Sequence, residues 1–303
     1  MKKDFIRIIF IVIISLAFSL ELVSCASQAA SAEEYFTIGM AYYELGQFQE
    51  AEQWLLRAAS ADRTRVASEY NLGRIAFETG RFSDASRHFE NVLDRDPDNI
   101  IALKAAAYTR IRTGDLEMAE SFYLRVLALV PESSDDGYNY SLVLYALGKY
   151  SECEQVLLRY AFALDENHDS LLLLARARAA QGKVEAIDDF ALWINLSDMP
   201  NPKVLHEYAL VLENAELYAL ALENFRSSLE SMPSDLHNLE RNQVRFDIAR
   251  VLFIADPGNT EAMAELSMAI TEGFDTDTAL QVLRSDHRIS SEQINEIERA
   301  LFD

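Results

Sequence analysis

Gly46, Gly80, Gly114, Gly148 and Gly182 recur every 34 residues, and Gly39 with Gly73 keeps the same interval in a second register. A fixed period of this length marks one supersecondary unit repeated along the chain, because each unit buries its apolar face only by stacking on the next. Two helical stretches flank the periodic glycine. In the second unit the pattern predicts helices over 66–79 and 83–95. Gly80 ends the first, since a residue without Cβ enters the left-handed conformation cheaply, and Pro97 stops the second. Pro131 and Pro233 stand at the same place in later units. Five residues past the glycine comes a small side chain, Ala51, Ala85, Ala119, Cys153 and later Ala221. One helical turn on, the same face carries Leu55, Phe89, Tyr123, Leu157 and Phe225. Small residues there let two antiparallel helices approach closely.

These slots resemble the tetratricopeptide repeat. The first unit carries Tyr35, Ile38, Gly39, Tyr42, Gly46, Phe48, Ala51, Leu55 and Ala58, and the second Leu72, Gly73, Gly80, Phe82, Ala85, Phe89 and Pro97. Units begin near Ala32, Val66, Ile100, Ser134, His168 and Pro202, so six of them cover 32–235. The resemblance implies an all-α fold, a right-handed α–α superhelix of six to seven helix-turn-helix units. Where the family has an aromatic residue in the first helix, units three and five place Arg110 and Arg178. Unit five puts Ile187 and Ala191 in the packing slots, and unit six has Glu216 for its glycine.

Residues 236–303 continue the logic as a degenerate seventh repeat and a C-terminal cap. Ala262, Leu266 and Ala269 reproduce the second-helix spacing seven residues late, about two helical turns, which a longer first helix over 236–255 absorbs. Short helices near 276–284 and 291–302 close the end, with Ser290 and Gln293 as a capping-box pair. Some periplasmic peptidoglycan lyases mount a catalytic domain on a helical superhelix. The segment left after the sixth unit reads as further solenoid instead, so no enzyme is expected.

The first 24 residues read as an address. Lys2, Lys3 and Arg7 precede an apolar run to Leu20, and Leu22-Val23-Ser24-Cys25 looks like a bacterial lipobox. The implied mature chain starts at Cys25, with a diacylglyceryl thioether on its sulfur and an acyl chain on its amine, which together anchor a protein stably. Ala26 rather than Asp follows the cysteine, which by the Gram-negative sorting rule implies the outer membrane. Residues 25–31 are then the lipidated cysteine and a short tether, with Ser31 and Glu34 capping the first helix. With Cys25 acylated, Cys153 has no partner for an intramolecular disulfide and reads as a packing residue.

Of 27 basic and 49 acidic residues, the first 24 positions hold Lys2, Lys3, Arg7, Asp4 and Glu21, leaving 24 against 47 and a net charge of −23. Such a body is repelled by nucleic acid and by anionic headgroups. The five histidines lack metal-ligand spacing, and neither a phosphate loop nor a nucleophile elbow is present, so no metal and no cofactor are expected. The acid pairs Asp135-Asp136 and Asp188-Asp189 read as solvated or capping groups. Glu120 and Glu154 read as outward acids of second helices.

In repeats of this kind the first helices line a concave groove that holds a peptide or a partner's helix. The inward places fall on Phe36, Met40, Tyr43, Tyr70, Arg74, Phe77, Lys104, Tyr108, Ile111, Tyr138, Leu142, Tyr145 and Arg176. Aromatic side chains give much contact area for little lost entropy. Tyr70, Tyr108 and Tyr138 read as one strip across three units. The Lys–Asn pair of repeats that clamp an acidic chaperone tail is absent, since Phe36 and Met40 hold those places. The expected protein is a non-enzymatic, lipid-anchored scaffold that recruits another envelope protein, in a layout similar to lipoproteins that assist β-barrel assembly or pilot secretin and pilus components. A second reading from the same layout is a partner of a solute-uptake system, with a small hydrophobic ligand enclosed by the superhelix.

Overall fold

The computed structural model describes residues 31–160, 168–199, 201–233 and 239–302. Every regular element among the described residues is an α-helix, sixteen in all. By internal contacts the chain divides into two units, Met1–Lys149 and Tyr150–Asp303. The first holds α1 (31–44), α2 (Phe48–Ala58), α3 (Asp62–Glu78), α4 (Phe82–Leu93), α5 (Ile100–Thr113), α6 (Leu116–Leu129) and α7 (Ser134–Ala146). The second holds α8 (Tyr150–Arg159), α9 (His168–Ala180), α10 (Glu185–Leu196), α11 (Pro202–Asn214), α12 (Tyr218–Ser231), α13 (Leu239–Ala255), α14 (Thr260–Thr271), α15 (Thr276–Ser285) and α16 (Ser291–Phe302). From α2 to α7, and again from α8 to α14, each helix packs on the next in sequence, and α3 also meets α5. This is the expected solenoid of helix pairs.

The periodic glycines hold the turns. All five sit at φ between +69° and +80°, and a Cβ there would meet nothing within 4 Å, so the requirement is backbone conformation rather than space. At Gly46 the turn closes by Gly46 N–H donating to the Tyr43 carbonyl at 2.9 Å and Gln47 N–H to that of Tyr42 at 2.9 Å, the paired bonds of a Schellman stop. Glu216 takes the same left-handed conformation at φ 61°, with Glu216 N–H on Glu213 O and Leu217 N–H on Leu212 O, both 2.9 Å. A side chain in that conformation is strained, so Glu216→Gly is expected to stabilise the second unit by about 1 kcal/mol, read as a higher urea midpoint.

The second glycine register serves packing. A Cβ on Gly73 would lie 2.6 Å from the Phe89 ring, and one on Gly39 2.8 Å from Leu55. Ala107, Ser141, Ala175 and Ala209 hold the place in later repeats, all fully buried. Opposite them Ala51, Ala85, Ala119, Cys153 and Ala221 are buried as the pattern predicts, as are Leu55, Phe89, Tyr123, Leu157 and Phe225. Burial, with a smaller contribution from Glu154, pushes the Cys153 thiol up to about 12.

Three expectations are corrected. α3 starts at Asp62 rather than 66, because Arg63 stands where Pro97 and Pro131 block the later helices. In unit five Ala186 and Phe190, not Ile187 and Ala191, fill the core. The first turn of α10 closes with i+3 bonds, Ala186 N–H to Lys183 O and Ile187 N–H to Val184 O. The second helices α2, α4, α6 and α12 close with i+4 bonds such as Ala85 N–H to Arg81 O. The tighter turn advances the face by one residue. Finally, Asp189 is largely buried on Arg178 and is neither solvated nor capping, whereas Asp136, 1 % exposed, is the capping alternative: it stands in the first turn of α7 and exchanges hydrogen bonds with the N-cap Ser133.

The tail follows the expected plan. Phe246, Ala249 and Phe253 of α13 are buried against Ala262, Leu266 and Ala269 of α14, and Gly273 turns at φ 111°. Ser290 and Gln293 make the reciprocal capping box at 3.1 and 3.3 Å. The cap is pinned by charges that the apolar pattern did not reveal. Glu213 of α11 receives Arg250 of α13 at 2.5 and 2.7 Å and Arg288 of the α15–α16 turn at 2.8 Å.

Candidate functional site

On the first helices of the first unit, the predicted inward residues fall at i, i+4 and i+7, which puts one stripe on each of α1, α3, α5 and α7. The stripes are joined by rungs. Tyr43 of α1 donates its hydroxyl to Glu78 and accepts from Arg74 Nη2 at 2.7 Å, with the Arg74 guanidinium 4.5 Å from the Tyr43 ring centre. Burial and the Glu78 hydrogen bond raise the Tyr43 pKa against the opposing pull of Arg74. Phe77 of α3 lies 5.2 Å from Tyr108 of α5 and packs edge-on to Phe82 at 5.3 Å. Lys104 of α5 reaches both carboxylate oxygens of Asp136 of α7, at 2.7 and 2.9 Å, and Ser133 Oγ donates to the same carboxylate at 2.7 Å. In the second unit Arg176 of α9 grips Glu207 of α11 through two bonds of 2.7 and 3.0 Å.

The three predicted cations are therefore each held by a partner, Arg74 by Tyr43 and Asn71, Lys104 by Asp136 and Arg176 by Glu207. What the face of the first unit offers a ligand is chiefly aromatic and aliphatic surface. Tyr108 is 50 % exposed and Leu142 40 %, whereas Phe36, Met40, Tyr43, Tyr70, Phe77, Ile111, Tyr138 and Tyr145 are half-buried. Tyr70 lies 5.8 Å from Phe89 and mainly packs its own repeat. The strip of three tyrosines needs correction. Tyr108 stands one turn further along its helix than Tyr70 and Tyr138, and the residue in register with those two is Lys104.

Glu78, Asp136 and Arg112, whose guanidinium lies 5.7 Å from the Phe77 ring, went unforeseen. A signal for the rungs is present: Tyr43 and Arg74, Lys104 and Asp136, Arg176 and Glu207 are 31 or 32 residues apart. A second ladder joins second helices to the turn of the following repeat. Glu52 with Arg81, Glu120 with Lys149 and Glu154 with Lys183 are each 29 residues apart, at 2.9, 2.7 and 2.6 Å. Glu120 and Glu154 are thus ion-pair members with side chains 14 % and 11 % exposed, and reading them as outward acids is overturned. Arg110 and Arg178, the residues in place of aromatics, also bridge carboxylates, Glu90 with Asp115 and Glu154 with Asp189.

The second unit has a cleft of about 390 Å³ between α11 and α13, edged by Lys203, His206, Glu207 and Gln243 over Val244 and Phe274. His206 is engaged by Asp247 at 2.9 Å, and in the first unit His88 is engaged by Glu69 at 2.7 Å. Among the described residues no three His, Cys, Asp or Glu side chains are grouped to hold a metal ion, and no helix is long and apolar enough to cross a membrane. Cys25 and the segment read as a signal peptide lie outside the described residues.

With this geometry in hand the relatives are informative. Residues 32–65 and 70–134 match models of the tetratricopeptide repeat. A tetratricopeptide-repeat protein from Parabacteroides merdae superposes with a TM-score of 0.58 at 21 % identity, covering 84 % of this chain and 98 % of that one. YrrB, a tetratricopeptide-repeat protein with an unusual peptide-binding site, gives 0.53 at 18 % identity, covering 65 % and 97 %. The chain carries tetratricopeptide repeats, and its fold is the solenoid they build. An uncharacterized lipoprotein of Treponema pallidum is 25 % identical over 164 residues, which span 54 % of this chain and 84 % of that protein.

Proposed function

We propose that this chain is a lipid-anchored scaffold of a bacterial cell envelope, held to the outer membrane through Cys25 and facing the periplasm. Its first unit binds an extended peptide or a helix of another envelope protein, and it carries out no chemistry of its own. The observation that carries this reading is the run of cross-repeat rungs from Tyr43 to Asp136, which fixes the charges and leaves Tyr108 and Leu142 exposed between them. A face whose polar groups are already satisfied holds its shape while unoccupied, so little ordering cost opposes binding. The tetratricopeptide fold, the peptide-binding site of YrrB and the resemblance to a lipoprotein of Treponema pallidum support the same reading.

The test is capture of the native partner by crosslinking in the envelope. Tyr108→Ala combined with Leu142→Ala is expected to weaken capture about tenfold or more, as loss of central apolar anchors does. Glu117→Lys with Glu152→Lys, at exposed second-helix positions, is expected to change it little. Circular dichroism should report the same helix content in both. If both variants are folded and only the charge reversals abolish capture, the partner sits on the second helices and the groove reading is wrong.

A further inference from the structure

The first repeat shows solvent a face that its sister repeats bury. Along α1, Tyr35, Ile38 and Tyr42 follow at steps of three and four residues, which is one stripe of a helix, and Leu45 continues its line in the turn just past the helix end. In the next three repeats the place of Ile38 is held by Leu72, Ala106 and Tyr140, at 2, 3 and 6 % exposure. Leu72 shares a core with Ala51 and Leu55 of the preceding second helix. Ile38 has no preceding repeat among the described residues and is 36 % exposed; Leu45 is 71 % exposed at a place that Thr79 and Thr113 also expose in the next two repeats, but it is leucine where they are threonine. Trp54 of α2 extends the stripe, its ring 5.6 Å from that of Tyr35, with the Arg57 guanidinium 4.6 Å from the Trp54 ring centre. The other end of the chain is finished differently, with Ile294 and Ile297 of α16 buried in the core that α15 and α13 share.

We propose that this face rests in the headgroup region of the bilayer that carries the protein. The inference depends on Cys25 being the lipid anchor. Only residues 26–30 separate that cysteine from Ser31, a reach of at most about 20 Å. The stripe along α1 is of similar length, so the anchor keeps all of it within reach of the membrane surface. Tyrosine and tryptophan beside aliphatic side chains, with a guanidinium on the indole, are the groups that settle where an apolar body meets a wet edge. The acidic body gains nothing from anionic lipid, so the contact is apolar and suits a zwitterionic surface. Resting on this face gives the anchored protein a fixed orientation.

The chain has two tryptophans, Trp54 and Trp193, which makes the contact readable. Full-length protein processed in its host and carrying Trp193→Phe is reconstituted into phosphatidylcholine vesicles with brominated acyl chains, and acylation is scored by mass on the same sample. Trp54 emission is expected to fall about twofold relative to unbrominated vesicles, because interfacial apolar faces sink to the acyl boundary. Leu45→Glu should reverse most of that quenching, and the sole Trp193 of a Trp54→Phe protein should show none. Acylated protein whose Trp54 is no more quenched than Trp193 overturns the inference and leaves the anchor standing. Trp54 shielded from aqueous iodide yet unquenched by bromolipid means that a second copy covers the face, which overturns it as well. Protein without an acyl group overturns the anchor and the inference together.

Discussion

Replacing Glu213 by alanine is expected to cost about 3–5 kcal/mol and to loosen the last two helices ahead of the rest of the second unit. Glu213 is 1 % exposed and is the shared acceptor of two guanidinium groups, Arg250 at 2.5 and 2.7 Å and Arg288 at 2.8 Å. Asp247 takes a further Arg250 bond at 2.9 Å, and Asp286 takes Arg288 at 2.6 and 2.8 Å. The Arg288 hydrogen bond holds the Asp286 carboxyl below its ordinary range, and the same bond raises Arg288. Without Glu213, Arg250 keeps only its hydrogen bond to Asp247 and Arg288 only those to Asp286, and the turn that seats the cap loses its tie to α11. Glu213→Gln keeps the shape and one acceptor and should fall between alanine and wild type. Arg288→Ala should cost less than Glu213→Ala, since Arg250 then keeps both Glu213 and Asp247. Hydrogen exchange separates the effects: amides of α15 and α16 should lose protection first. Unchanged protection there, or a loss under about 1 kcal/mol, would mean that the apolar contacts of Ile294 and Ile297 hold the cap unaided.

The ease with which parts of this fold were read from sequence follows from where the constraints act. A left-handed turn that only glycine enters cheaply leaves a one-letter mark, so the period and the helix ends at Gly46 through Gly182 were plain. Glu216 shows the limit of that signal, because the conformation persists where the letter does not. The one-residue shift of α10 left no mark at all. It arises from two i+3 backbone bonds after Gly182, and backbone bonding is not spelled by side chains. The early start of α3 was legible in principle, from arginine rather than proline at position 63. For the candidate site, register alone selected the residues of the first helices. It could not say that their cations were engaged, because the partner lies on another helix and the spacing is set by how repeats stack. Glu120 and Glu154 were misread for the same reason. A polar residue on a second helix looks solvated until the following turn brings Lys149 or Lys183 over it.

Glu154 also gives the second unit a defined response to acid. Burial alone would raise its pKa, but hydrogen bonds from Lys183, Arg178 and Gln181 outweigh that and hold it at about 2. The folded value lies below the ordinary 4.5, so the charge stabilises the fold above about pH 4.5, and the contribution drains away as the pH falls toward 2. A shift of that size corresponds to about 3 kcal/mol when fully expressed. Asp189, on the other side of Arg178, is shifted the opposite way, since burial raises it more than the arginine lowers it. Its proton returns at higher pH, and the stability tied to it is present in acid and lost as the pH rises, so it partly masks the Glu154 effect in wild type. The clean comparison is therefore Glu154→Gln against Glu154 in an Asp189→Asn background. The difference in unfolding free energy, from urea titrations across pH 7 to 3, should be about 3 kcal/mol near neutrality and shrink steadily below about pH 4.5. A difference that stays constant over that range would show that the glutamate acts through shape and hydrogen bonding alone. The ladder from Glu52 to Lys183 would then be packing rather than charge.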